Sequence, residues 1–279
     1  MNESKQHLPI GVFDSGVGGL TVLRQLLRLL PDEEYRYLGD TARLPYGTKS
    51  SESVIRYALQ SSKHLVEQGV KLLVVACNTA SSVALPALEE AYPGLPVVGV
   101  VRPGARAGCS LNTNGRMAVI ATEATVRGGA YQRAVLELCP VMHVEAQACG
   151  LFVALAEEGW TSGELVEAVV RKSLTPLFER FGEQQPDCLV LGCTHFPVLA
   201  GAIEAVVGPE VAVIDSAVTT AQEVRDELRA RGLLRPAGEV DDPARVRFWA
   251  TDGAERFARV GSIFLGCDLA PEDVELVDL

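Results

Sequence analysis

The sequence has no apolar run of the ~20 residues that a membrane-spanning helix needs, although 48% of its 279 residues are hydrophobic. Residues 1–10 contain no basic segment followed by a long apolar one, so no secretory signal is indicated. We therefore expect no membrane association and a cytoplasmic location. The length allows one large domain or two of ordinary size.

The chain is also short of positive charge. Its net charge of −11 disfavours nucleic acid as a partner, because binding phosphates requires clustered lysine and arginine. The seven cysteines are an odd number, and they are scattered through a chain too long to need disulfide staples. This usage is typical of reduced thiols in a cytoplasmic protein.

A complete nucleotide-binding motif is missing as well. The glycine-rich turn DSGVGG begins at Asp14, and a dinucleotide-binding fingerprint would place its third glycine at position 21, where Thr21 stands. Asp14 would also repel a pyrophosphate. Asp40 lies roughly where a ribose-binding acid could fall, but the incomplete turn disfavours this interpretation.

Signs of a metal or a cofactor are equally weak. Cys139 and His143 have the spacing of half a metal site, but no second pair matches them. Two of the cysteines follow predicted strands, and no lysine occupies a comparable position from which it could bind a cofactor. We therefore expect neither a metal nor a cofactor.

Short apolar runs alternate with amphipathic segments along the chain. This alternation predicts an α/β fold with doubly wound, mostly parallel sheets. The pattern restarts near residue 116, where RMAVIATEAT repeats the strand–turn–helix form of IGVFDSGVGG. Low identity between the halves makes this a hint of duplication. Residues 233–245 are predicted to form a loop, followed by a late strand at VRFWATD and an acidic tail.

Two segments carry the functional signal, LLVVACNTASS around Cys77 and CLVLGCTHFP around Cys193. In each, an apolar run ends at a cysteine that polar residues follow. This places both thiols at the carboxyl ends of strands, where open α/β sheets bind ligands. We expect the two thiols to face one pocket from two related halves.

Two such thiols suit a two-base proton transfer, in which one removes a proton from a carbon and the other delivers one to the opposite face. That chemistry inverts a stereocentre. We expect a helix start after each cysteine to lower its pKa. A disulfide between Cys77 and Cys193 is the alternative, and it would abolish this chemistry. The other five cysteines are interpreted as small buried hydrophobes.

Acid–base partners are predicted beside each thiol. Asp14, followed by Ser15, ends the first predicted strand, where its carboxylate could orient a substrate ammonium or accept a proton from a thiol. Its alternative role is to cap the following helix. His195 follows Cys193 by two positions, which favours an acid–base role over a structural one.

Four motifs occur in this order: DSGVGGLTVL, GDTARLPYG, ACNTAS and GCTHFP. Together they resemble the cofactor-independent glutamate racemases of the Asp/Glu racemase family, from about Ile10 to Leu265. The resemblance implies two pseudo-symmetric α/β domains with the active site in the cleft between them. It places the first domain at residues 1–100 plus 212–279 and the second at residues 101–211.

The resemblance also implies a role for each matching position. Cys77 would be the base for D-glutamate, assisted by Asp14, and Cys193 the base for L-glutamate, assisted by His195. The segment CGLFVALAE matches the family's acidic pattern and places the acid at Glu157, although Gly150 and Ala154 replace its two prolines. The implied substrate-binding positions are Asp14, Ser15, Tyr46, Gly47, Asn78, Thr79, Thr122, Thr125, Thr194 and His195.

Enzymes of this kind make D-glutamate for peptidoglycan without a cofactor, and the resemblance suggests a homodimer. Two departures stand out: Ala121 replaces the usual glycine before the second-domain loop, and Arg102 stands where the family more often has an acid. Racemisation of aspartate or another amino acid by the same scheme is the alternative activity. Some family members bind DNA gyrase, and such binding is the alternative from another functional class.

Overall fold

The computed structural model describes residues 3–238 and 245–279, with side chains from residue 5 onward. Of the predicted loop at 233–245, residues 239–244 lie outside this description. The strands are β1 (Ile10–Asp14), β2 (Tyr35–Gly39), β3 (Leu72–Val75), β4 (Val97–Gly99), β5 (Arg116–Ala121), β6 (His143–Ala148), β7 (Cys188–Gly192), β8 (Ala212–Asp215), β9 (Val246–Ala250) and β10 (Val274–Leu276).

Helices alternate with these strands, as the sequence pattern predicts. They are α1 (Glu3–Gln6), α2 (Leu20–Leu29), α3 (Ser51–Glu67), α4 (Asn78–Ser81), α5 (Leu85–Ala91), α6 (Val101–Leu111), α7 (Glu123–Arg127), α8 (Ala130–Leu138), α9 (Gly150–Glu157), α10 (Glu164–Glu179), α11 (Ala200–Val207), α12 (Ser216–Arg231) and α13 (Ala254–Leu265). Short 3₁₀ turns lie at Thr41–Arg43, Tyr46–Thr48, Phe196–Leu199 and Pro271–Asp273.

The strands form two parallel sheets, one with the order β10-β9-β2-β1-β3-β4 and the other with the order β6-β5-β7-β8. The inner part of the first sheet runs second, first, third, fourth in chain order, and the second sheet follows the same order. This shared topology supports the duplication that the sequence suggests, and the predicted α/β fold with parallel sheets is confirmed.

Helices cover both faces of each sheet, which explains why strands such as β1 and β7 are buried along their whole length. On the first sheet, α2, α12 and α13 pack on one face and α3 on the other. On the second sheet, α9, α10 and α11 pack on one face and α6 and α8 on the other. Within the described residues, no helix is both long and apolar enough to span a bilayer.

The structure corrects two details of the sequence prediction and adds a helix that the prediction did not assign. β8 pairs with β7, so the strand at 212–215 belongs to the second sheet rather than to the first. The division into a first domain of residues 1–100 plus 212–279 and a second of residues 101–211 stays a prediction. Residues 101–111 form α6, and the stretch interpreted as a tail contains α13 and β10.

Candidate active site

The two cysteines occupy equivalent positions in the two sheets. Cys77 follows β3, and Cys193 follows β7, each being the third strand of its half. Parallel strands end at one edge of a sheet, so both thiols lie at the ligand-binding edge of their sheets. Both are free thiols, so the structure does not contain the alternative disulfide between Cys77 and Cys193.

Both thiols line one cavity of about 350 Å³. Larger depressions lie on the outer surface, but neither thiol borders any of those described. The largest of them has a volume of about 590 Å³ and lies between α10 and α11. The cavity is lined by Ser15, Gly16, Leu44, Pro45, Tyr46, Gly47, Thr48, Cys77, Asn78, Thr79, Thr122, Glu123, Gly150, Val153, Ala154, Glu157, Cys193, Thr194 and His195. Residues of both sheets therefore meet here, as the cleft prediction requires.

Asp14 lies beneath the Cys77 side of the cavity and is fully buried at the end of β1. Its Oδ2 accepts a hydrogen bond of 2.9 Å from the Gly16 N–H, whereas its Oδ1 has no hydrogen-bond partner among the described residues. Burial raises the pKa of Asp14, and the charge of His195 and nearby backbone N–H groups oppose that rise. Asp14 is therefore a carboxyl group with one oxygen available to exchange a proton.

Cys77 is also buried, and here the expectation of a lowered pKa is wrong. Its Sγ caps α4, accepting from the Ala80 N–H at 3.4 Å, and this contact does lower the pKa. Burial and the charge of Asp14 outweigh that contact and raise the pKa of Cys77 to about 12. Cys77 is thus a protonated thiol at neutral pH.

Cys193 begins a chain of polar contacts that continues through two further side chains. Its Sγ lies 3.9 Å from Nδ1 of His195, and Nε2 of His195 lies 3.1 Å from Oε1 of Glu157. Burial alone would lower the pKa of His195, but its contacts with Cys193 and Glu157 raise it to about 10. The hydrogen bond from His195 is the main reason that the pKa of Glu157 is lowered. A protonated His195 beside an ionised Glu157 therefore faces Cys193.

The loop after β2 forms one wall of the cavity. The Tyr46 hydroxyl donates to Oδ2 of Asp40, and Arg43 Nε donates to the same oxygen at 2.6 Å. Thr251 donates to the other oxygen of Asp40 at 3.0 Å. Asp40 thus fixes the loop that presents Tyr46 and Gly47, a role different from the ribose contact weighed above.

Polar side chains from the two halves meet across the cavity. Oγ1 of Thr79 lies 2.9 Å from Oγ1 of Thr122, which lies 3.0 Å from Oγ1 of Thr125. The buried Tyr131 hydroxyl donates to Oδ1 of Asn78 at 2.7 Å. Nδ2 of Asn78 is buried and has no partner among the described residues, so it is oriented and available as a donor.

The glycines of DSGVGG serve close packing rather than phosphate binding. A Cβ at Gly18 would lie 2.5 Å from both Nδ1 of His195 and Oγ1 of Thr194. A Cβ at Gly19 would lie 2.6 Å from the Cβ of Asp14. The glycine turn of the first half therefore touches the cysteine motif of the second half directly.

The predicted site residues are brought together, although their roles stay predictions. All except Asp14 and Thr125 line the cavity, and those two touch or underlie residues that do. Gly150 and Ala154, which replace the family's prolines, line it too. Arg102 instead borders a separate depression beside α12.

Three residues that hold the site were missed from the sequence. Asp40 was noted for a different role, and Tyr131 and Arg256 were not singled out. Asp40 stands beside the PYG loop in one motif, which is a signal that could have found it. Tyr131 lies in an ordinary helical pattern and Arg256 in a stretch interpreted as a tail. Only the tertiary packing of α8 and α13 brings them into contact with residues that line the cavity.

Comparisons with known proteins agree with this geometry. A family model described as Asp/Glu/Hydantoin racemase matches residues 10–224. A glutamate racemase from Geobacter metallireducens is 48% identical over 270 residues, which cover 97% of this chain and 96% of that protein. A solved glutamate racemase from Bacillus anthracis superposes with a TM-score of 0.90 at 36% identity, covering 98% of both chains. One from Francisella tularensis, in complex with D-glutamate, gives 0.87 at 35% identity and covers 98% of both chains.

Proposed function

Because the chain belongs to the Asp/Glu/hydantoin racemase family, we propose that it interconverts L- and D-glutamate by moving protons on and off the two faces of the α-carbon. The observation that carries this proposal is the placement of Cys77 and Cys193 at equivalent strand ends on one shared cavity. Inversion of a stereocentre needs one acid and one base on opposite faces, and the duplicated fold supplies two thiols.

Polar neutral groups would hold the substrate. Among the described residues no lysine or arginine lines the cavity, so charge–charge pairing with the two carboxylates is not the binding mode that we propose. Hydroxyls of Ser15, Thr79, Thr122 and Thr194 and the amide of Asn78 would donate to the carboxylates instead. The complex of the Francisella tularensis relative with D-glutamate supports the choice of substrate.

The two thiols would exchange roles with the direction of reaction. From L-glutamate, the Cys193 thiolate takes the α-proton, and the Cys77 thiol gives its own proton to the opposite face. The raised pKa of Cys77 suits this donation, and the protonated His195 ring places a positive charge beside Cys193, with Nδ1 3.9 Å from Sγ. From D-glutamate, Asp14 must first help to remove the Cys77 proton, and its unpartnered Oδ1 suits that task.

A buried site would help to stabilise the carbanion-like transition state. The two cysteines are only 5% and 4% exposed, so hydrogen bonds to the developing charge act with little screening by water. Fixed donors such as Asn78 and the threonines need little reorganisation as that charge forms. In this way the chain's own residues would lower the barrier to removing the weakly acidic α-proton.

The decisive assay incubates L-glutamate with the purified protein in D₂O without added pyridoxal phosphate. We expect loss of optical rotation together with deuterium uptake at Cα. Parallel incubations with L-aspartate and other amino acids test the alternative substrates. Faster racemisation of aspartate, or no exchange with glutamate, would contradict the proposal.

We further propose that the protein supplies D-glutamate for peptidoglycan in the cytoplasm and acts as a homodimer. Sedimentation should then give about twice the chain mass of 29.8 kDa. Cells depleted of the protein should be rescued by external D-glutamate.

The gyrase alternative has a separate test, a pull-down with purified gyrase, and no binding is expected.

A further inference from the structure

One ion pair connects the two halves of the molecule at the active site. Nη2 of Arg256, on α13 of the first half, lies 2.6 Å from Oε2 of Glu157, at the end of α9 in the second half. The Arg256 side chain is 52% exposed, whereas that of Glu157 is 16% exposed. The arginine thus reaches from the surface to a largely buried carboxylate.

Glu157 needs a cation at this place. It is the last residue of α9, where the unpaired carbonyl groups of the helix create a negative potential that disfavours a carboxylate. Its two oxygens are divided between partners, Oε1 on His195 and Oε2 on Arg256. Arg256 therefore balances the charge of Glu157 and fixes the direction of its other oxygen.

The same helix touches the histidine as well. The ring of Phe264, about two turns after Arg256 on α13, meets the ring of His195 edge-on with centroids 5.0 Å apart and planes at 73°. Phe264 is fully buried. α13 thus restrains both members of the His195–Glu157 pair from the first half of the molecule.

We propose that Arg256 is a positioning residue for proton transfer at Cys193: it holds Glu157, and through Glu157 it fixes the ring of His195 against the thiol. This inference rests on the proposed function. The charged and titratable groups that face His195 are Cys193, Glu157 and, from β1, Asp14. No arginine occupies the corresponding place beside Cys77 among the described residues, so the effect should be confined to one of the two thiols.

The equilibrium between enantiomers limits what steady-state rates can reveal. L- and D-glutamate have equal free energies, so kcat/KM must stay equal in the two directions for every variant. A defect at one thiol therefore appears in the primary deuterium isotope effects. Slower proton removal by Cys193 raises the isotope effect on kcat/KM with α-deuterated L-glutamate, and it does not raise the effect with the D enantiomer.

The experiment compares Arg256→Gln, Glu157→Gln and the double variant, with Arg259→Gln as a control on an exposed arginine of the same helix. We expect Arg256→Gln to lower kcat/KM by about tenfold, as losses of supporting contacts typically do, and to raise the isotope effect for L-glutamate. Because Arg256 acts through Glu157, adding Arg256→Gln to Glu157→Gln should cost almost nothing more. Arg259→Gln should match the wild type.

A readout independent of turnover is the hydrogen bond between the His195 ring and Glu157, followed by NMR through exchange of the imidazole proton with water. Arg256→Gln should speed this exchange, because a less firmly held Glu157 leaves the hydrogen bond more often, and Arg256→Lys should slow it again in part. Equal losses from Arg256→Gln with Glu or Gln at position 157, or an unchanged rate of proton exchange, would overturn the proposal. An inactive wild-type protein would instead refute the proposed function, and the NMR result would still decide the role of Arg256.

Discussion

The two thiols have different surroundings although they occupy equivalent positions. Cys77 is buried beside a carboxylate, whereas Cys193 faces an imidazole that a second carboxylate holds. Burial and the adjacent carboxylate keep Cys77 protonated, whereas a protonated imidazole lies beside Cys193. Under the proposed two-thiol transfer, the reaction that begins from D-glutamate therefore requires loss of the Cys77 proton first.

Replacing either thiol should stop racemisation. We expect Cys77→Ser and Cys193→Ser each to lower kcat by at least about 1,000-fold, since residues that act as a unit fail together. Each variant should still exchange the α-proton of one enantiomer, because the remaining thiol is intact. Chiral chromatography and deuterium incorporation measure the two effects, with the exposed Cys267→Ser as the control. Full activity in Cys193→Ser would refute the two-base assignment.

We expect Asp14 to lower the stability of the folded protein while supporting its catalytic activity. Its folded pKa is raised above 3.8, so the folded state binds the proton more tightly than the unfolded state does. Ionised Asp14 therefore lowers the free energy of unfolding. This loss of stability increases as the pH rises from the unfolded pKa to the folded pKa, and it is constant above the folded pKa. We expect Asp14→Asn to raise Tm at neutral pH, to lose that gain in acid, and to lower kcat.

Scanning calorimetry across pH checks the stability effect of Asp14, and Asp278→Asn serves as a control at an exposed aspartate. A lower Tm for Asp14→Asn at neutral pH would show that its hydrogen bond from Gly16 outweighs the cost of burying the charge.

At the scale of elements, two turns from opposite halves interlock. The turn between β1 and α2 lies so close to the cysteine motif after β7 that Gly18 has no room for a side chain. Thr21, at the start of α2, donates to the Thr194 carbonyl oxygen at 3.0 Å. The glycine-rich turn therefore positions His195 from the other half of the molecule.

Gly18→Ala should accordingly disturb chemistry more than folding. The new methyl group would push His195 away from Cys193, and we expect a loss of kcat/KM on the order of 100-fold, since small misplacements of reacting groups can be that costly. Gly201→Ala is the matched control, because nothing lies within 4 Å of a Cβ there. Steady-state kinetics and thermal unfolding separate the two effects. If Gly18→Ala and Gly201→Ala had equal activity, the turn would accommodate the new methyl group without displacing His195.

The sequence pattern predicted most elements and missed others for identifiable reasons. Buried strands read as unbroken apolar runs, so β1, β3 and β7 could be located directly. α6 carries a proline and two glycines, residues that usually indicate a loop, but tertiary packing stabilises it as a helix. α13 was missed because the acidic composition around it resembles a tail, although its buried face is apolar.

On the scale of the whole molecule, the site exists only where the two halves meet. Thr79 with Thr122, Asn78 with Tyr131, and Glu157 with Arg256 are contacts between the halves. A ligand that fills this cavity must touch both sheets. Substrate binding should therefore stabilise both halves together.

Hydrogen exchange with and without D-glutamate tests this coupling. We expect added protection at the turns after β1 and β3 and equally at those after β5 and β7, along with a Tm that rises with ligand concentration. L-Lysine, whose cationic side chain cannot replace the second carboxylate, is the control ligand. Protection confined to one sheet would contradict a shared site.

The sequence by itself determined the alternating fold and the placement of Cys77 and Cys193 at strand ends, and its resemblance to the glutamate racemases implied most residues of the cavity. The fold and the strand ends follow from local patterns, because apolar periodicity, glycine turns and polar strand ends occur within short segments. The tertiary structure decided the pKa of Cys77, the His195–Glu157–Arg256 chain, and the sheet to which β8 belongs. Each of these depends on burial or on contacts between residues far apart in the chain, and no local pattern records them.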